Sequence, residues 1–67
     1  MVKKTTSVPF VRKYYFALGY SDRIQKVDSP PSIELNEYYL DLLNVNVIEE
    51  YKAGREIAER DLVNNIR

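Results

Sequence analysis

Residues 29–43 read Ser-Pro-Pro-Ser-Ile-Glu-Leu-Asn-Glu-Tyr-Tyr-Leu-Asp-Leu-Leu, and the order of these residues decides the architecture. Pro30 and Pro31 withhold backbone donors and hold the chain extended, so regular structure must stop before them. Ser32 then offers its side chain to the orphan amides of a helix start, and Glu34 and Glu37 put negative charge where the helix dipole favours it. A helix over 33–43 follows. At about 100° per residue, Glu34, Glu37 and Asp41 fall on one narrow acidic stripe. Ile33, Leu35, Tyr38, Tyr39, Leu40, Leu42 and Leu43 fill the rest of the circumference. A surface helix buries one stripe, so this one is expected to be covered on two sides.

Past Leu43, Asn44-Val45-Asn46 reads as a turn and a new helix cap, because Asn accepts from orphan amides and tolerates left-handed dihedrals. The helical period returns from Val47 to about Ile66. Val47, Ile48, Tyr51, Gly54, Ala58, Leu62 and Ile66 share one face, with Ile57 on its flank, and Lys52, Glu56, Glu59 and Arg60 lie opposite. Gly54 costs about 1 kcal/mol relative to Ala in a helix interior. It precedes Ala58 by one turn on the apolar face. Either the pair forms a notch that admits another helix, or the glycine is tolerated with a slight kink.

Before the prolines the period is less decisive. Ser7-Val8-Pro9 suits a helix start and Gly19 a stop, and Val11, Tyr14, Tyr15 and Leu18 then share a face. As a strand, Phe10, Tyr14, Phe16 and Leu18 share a face with Arg12 intruding, and the aromatic content suits that state too. Helix is the reading adopted for residues 8–18. Met1–Ser7 reads as a polar arm, and Ser21–Val27 as one further short turn. The expected fold is mainly α: a small helical protein with a basic, aromatic arm and short helix over 1–28, a Pro-Pro hinge over 29–32, and a helical hairpin over 33–67. The whole is one domain.

A chain of 67 residues lies near the lower limit at which a hydrophobic core alone offsets the entropy of folding. It has no Cys and no His, so disulfides, thiolate metal sites, His-based metal sites and His-dependent nucleophilic catalysis are all absent. Carboxylate pairs such as Glu34 with Glu37 need a cleft to act across, and so small a body hardly encloses one. Clustered oxygens at Glu34, Glu37 and Asp41 lack the loop of a calcium site, and isolated glycines cannot cradle a phosphate. The chain is therefore expected to be no enzyme, with no cofactor, no metal and no small-molecule substrate.

The net charge of zero conceals a polarised chain. Residues 1–27 carry Lys3, Lys4, Arg12, Lys13, Arg23 and Lys26 against Asp22 alone, a balance of +5. Residues 28–50 carry Asp28, Glu34, Glu37, Asp41, Glu49 and Glu50 without a base, a balance of −6. The remainder sums to +1. Opposite segments attract, within the chain or between copies.

The other signal is an excess of large apolar and Tyr surface, with 6 tyrosines in the chain. Tyr supplies broad, fairly rigid contact area with a polar tip, and so it is favoured at interfaces. The function expected is that of a non-catalytic protein–protein interaction subunit or adaptor, held in a larger assembly that is homo-oligomeric, viral or structural. The expected contacts are Phe10, Tyr14, Leu35, Tyr39, Leu42, Leu43, Tyr51, Gly54, Ala58 and Leu62. The alternative is a small nucleic-acid-binding regulator using Lys3, Lys4, Arg12, Lys13 and Tyr15, since bases interleaved with aromatics combine phosphate contact with base stacking. The longest apolar run, Tyr14–Leu18, is far too short to span a bilayer. No signal-like apolar run follows Met1–Lys4. A soluble intracellular protein, cytoplasmic or carried in a virion, is the expectation.

Overall fold

The computed structural model of the chain describes residues 7–64. Among them are three helices and no strand: α1 (Val8–Gln25), α2 (Ile33–Leu43) and α3 (Val47–Asn64). The chain is mainly helical, as its patterning predicts. Lys3, Lys4 and the rest of the expected arm up to residue 6, together with Ile66, lie outside the described residues.

The first helix bears out one expectation and corrects two others. Residues 8–18 are helix, which removes the strand alternative. The Ser7 side chain caps its start by accepting from the Phe10 amide at 3.3 Å, with Pro9 in the first turn. Gly19 does not stop this helix. The helix runs on through Ser21–Gln25, expected as a separate turn, and ends at Lys26, whose φ is 63°. There the amide of Val27 donates to the Asp22 carbonyl at 2.7 Å and that of Lys26 to the Arg23 carbonyl at 3.2 Å. This is the left-handed closure that most often recruits glycine.

Gly19 instead lies buried where α1 crosses α3. A Cβ built on it falls 2.0 Å from the carbonyl oxygen of Tyr51, and one built on Gly54 falls 2.0 Å from that of Phe16. The two glycines thus let the backbones approach reciprocally. Gly54 is a notch, and the helix it admits is α1 of the same chain.

Salt bridges give the relative direction. Arg12 pairs with Glu50 at 2.9 Å, and Arg23 pairs with Glu59 further along both helices, so α1 and α3 run parallel. Each has 18 residues and extends about 27 Å. The 11 residues of α2 and the proline segment before it must carry the chain back from the end of α1 to the start of α3. The Ser32 side chain caps α2, accepting from Leu35 at 3.1 Å. Asn44, with φ 57°, closes it, and the Asn46 side chain accepts from Glu49 at 3.0 Å to open α3.

The core forms where these pieces meet. Val11 of α1, Val45 of the turn and Val47 of α3 are buried together, with Tyr15, Tyr39 and Leu43 packed against them. Asn36 is buried as well, and its Oδ1 accepts from the Ile48 amide at 3.1 Å, so α2 caps the first turn of α3 from outside. The proline segment is strapped at its start. Tyr51 donates to Asp22 at 2.5 Å and accepts from the Ser29 amide at 2.9 Å, while Arg55 donates to the Val27 carbonyl at 2.6 Å.

Candidate interaction surface: an aromatic groove between the first two helices

On α1, Phe10 and Tyr14 are one helical turn apart and point away from α3, leaving the Gly19 side to make the helix crossing. On α2, Tyr38 and Tyr39 are consecutive, so only one of them can turn fully inward. Tyr39 takes the inward position, half-buried and edge-on to Tyr15 with ring centroids 5.9 Å apart. Tyr14 meets Tyr15 at 4.9 Å, Phe10 meets Tyr14 at 6.5 Å, and Tyr38 meets Tyr39 at 5.1 Å. Five rings thus form one continuous series across two helices. Phe10, Val11, Tyr14, Tyr15 and Tyr39 line an open depression of about 350 Å³.

Three of these rings remain largely in solvent: Phe10 is 63% exposed, Tyr14 53% and Tyr38 57%. Leu42, one turn beyond Tyr38, is 55% exposed and extends the same rim. Burial, and then the neighbouring Tyr39 and Tyr14, push the Tyr15 hydroxyl above its usual value near 10. The tyrosines give the walls hydroxyl tips on aromatic rings, groups that bind by burial and hydrogen bonding.

Charge frames the groove unevenly. Lys13 is exposed beside Phe10 on α1. Glu34, Glu37 and Asp41 are exposed along the outer stripe of α2, and none of them is ion-paired among the described residues. Arg12 and Arg23 are matched by Glu50 and Glu59 of α3 instead.

The residues expected at an interface divide into three groups. Phe10, Tyr14 and Tyr39 line the groove, Leu42 is exposed one turn beyond Tyr38, Leu35 is half-buried, and Leu43 packs against the core. Tyr51, Gly54 and Ala58 are buried between α3 and the rest of the chain. Leu62 lies near the far end of α3, partly exposed. Of the expected nucleic-acid set, Arg12 is ion-paired, Tyr15 is half-buried among rings, Lys13 is exposed, and Lys3 and Lys4 fall outside the described residues. Two residues escaped sequence reasoning. Tyr38 sits on the wheel beside the acidic stripe and resembles any other member of a broad apolar arc. Asn36 looks like a solvated helix residue until its bond to Ile48 is seen.

No described helix is long and apolar enough to cross a membrane. Among the described residues no group of acids is placed to hold a metal ion. No protein-family model, no curated protein and no solved structure matches the chain.

Proposed function

We propose that this chain is a non-catalytic protein-interaction module that docks through the aromatic groove and the outer rim of α2. The observation that supports this reading is the series of five contacting rings, of which Phe10, Tyr14 and Tyr38 stay open to solvent. Contiguous exposed apolar surface on a small soluble body is characteristic of contact sites, and aromatic anchors contribute most of the binding energy at such sites. The role that fits is an adaptor or subunit of a larger assembly.

A site-specific photo-cross-linker tests the reading. With p-benzoylphenylalanine in place of Tyr14, irradiation in cells making the chain yields a discrete adduct. The same group in place of Glu56, on the exposed outer side of α3, yields none. Absence of any adduct at position 14 overturns the proposal.

The second reading, a nucleic-acid regulator, draws support from Lys13 standing beside Phe10 and Tyr14. The acids of α2, without an ion pair among the described residues, lie along the outer stripe of the same small body and repel a phosphate backbone, and Arg12 is already matched by Glu50. This reading requires retardation of DNA or RNA that weakens steeply with salt and is lost in Lys13→Glu.

A further inference from the structure

We infer that the occupant of the groove is a second copy of this chain, arranged about a two-fold axis. The inference rests on the docking function proposed above and names its partner. The first ground is unmet charge. The acids of α2 find no base within the described chain, where the ion pairs join Arg12 to Glu50, Arg23 to Glu59, and Arg55 to Asp28 at 3.9 Å. A ridge of Glu34, Glu37 and Asp41 flanked by Tyr38 and Leu42 calls for a partner surface that is apolar with a basic edge.

The second ground is that this chain displays such a surface beside the acidic one. On α1, Phe10 and Tyr14 stand exposed with Lys13 at their margin, three residues along from Phe10 and on the neighbouring wheel position. In a two-fold dimer each patch meets the other twice, since the contact from one copy is repeated by its mate. The α1 edge of one copy then covers the α2 edge of its mate. Lys13 faces Glu37 and Asp41, and Phe10 and Tyr14 pack on Tyr38 and Leu42. Such an arrangement also covers the second side of α2, which the single chain leaves open. An overall charge of zero, split between a basic front and an acidic middle, is what a self-complementary pair of this kind needs.

Sedimentation equilibrium of the full chain tests the inference, using charge reversals at exposed positions, with far-UV circular dichroism confirming that each variant keeps its helices. At low ionic strength the chain sediments as a dimer, and its dissociation constant rises more than about tenfold in roughly 0.5 M salt. Lys13→Glu alone sediments as a monomer, and so does the double variant Glu37→Lys with Asp41→Lys. Mixed in equal amounts, these two variants recover a dimer, because in the mixed pair both charged contacts are again attractive. A wild-type monomer at about 100 μM in low salt overturns the inference, and so does a mixture that stays monomeric. The cross-link at position 14 separates this failure from that of the docking function. An adduct of twice the chain mass supports the second copy. An adduct of another mass overturns it while preserving the docking surface, and no adduct removes both.

Discussion

A methyl group at position 54 would lie 2.0 Å from the carbonyl oxygen of Phe16, and one at position 19 equally close to that of Tyr51. Both obstacles are helix backbone, which cannot rotate aside as a side chain does. Gly54→Ala and Gly19→Ala each force the helices apart, with an expected loss of about 3 kcal/mol or more in urea denaturation. The sign is diagnostic, because the same change at an exposed helix position gains up to about 1 kcal/mol. Lys26 makes the opposite case. Its left-handed φ of 63° strains a residue with a Cβ, so Lys26→Gly should raise stability by about 0.5–1 kcal/mol. These two positions also show what a sequence can reveal. Gly54 was legible as a notch or a tolerated glycine, the first reading because Ala58 follows it by one turn on an apolar face. Gly19 was not, because a glycine after an apolar stretch suits a helix end and a close crossing equally well. Only the backbone opposite decides between them.

The elements follow from caps and breaks that can be read directly. Ser7, Ser32 and Asn46 each open the helix that their position predicts. The pairing of the helices is less visible, since it depends on long-range contacts such as Asn36 to Ile48 that leave no periodic trace. Asn36→Ala should cost about 1–2 kcal/mol and speed hydrogen exchange at the Ile48 amide, because the start of α3 loses an acceptor in a buried place. The strap on the proline segment adds a dependence on pH. Burial first, and then the bond to Asp22, push the Tyr51 hydroxyl above its ordinary value near 10. The folded chain therefore holds this proton more tightly than the unfolded one. Its contribution to stability is complete below pH 10 and is lost as pH rises through and beyond that value. Melting temperature should accordingly fall above about pH 10, and Tyr51→Phe should flatten that fall. A residual slope stays with Tyr15, raised chiefly by burial, and Tyr20, raised chiefly by its bond to Asp61. At neutral pH the same variant should cost about 1–3 kcal/mol, since the Ser29 amide and Asp22 lose their partner.

At the scale of the whole molecule, the apolar residues fully buried among those described are few: Val11, Val45, Val47, Tyr51 and Ala58. The salt bridges between α1 and α3 lie at the surface, where each contributes at most about 1 kcal/mol. A body of this kind is marginal alone, and the rings it leaves in solvent are apolar surface that folding has not used. The groove was legible only as an excess of Tyr and Leu in the sequence. Which of those side chains turn outward depends on α3 taking its closest contact with α1 rather than α2. If two copies share the groove, association and folding are one equilibrium, and the melting temperature must depend on concentration. For a dimer that unfolds to two separate chains, a hundredfold rise in concentration adds about 2.7 kcal/mol per dimer, or about 1.4 kcal/mol per chain. In a domain of this size each kcal/mol moves the midpoint by about 4–8 °C. Scans at about 5 and 500 μM in low salt should therefore differ by roughly 5–10 °C, provided both concentrations exceed the dissociation constant. The difference should shrink in about 0.5 M salt and vanish in Lys13→Glu, whose own core is untouched. A midpoint that holds constant across that range in low salt identifies a chain that folds alone, and it would sink the two-fold pairing while leaving the glycine crossing and the Tyr51 strap as they stand.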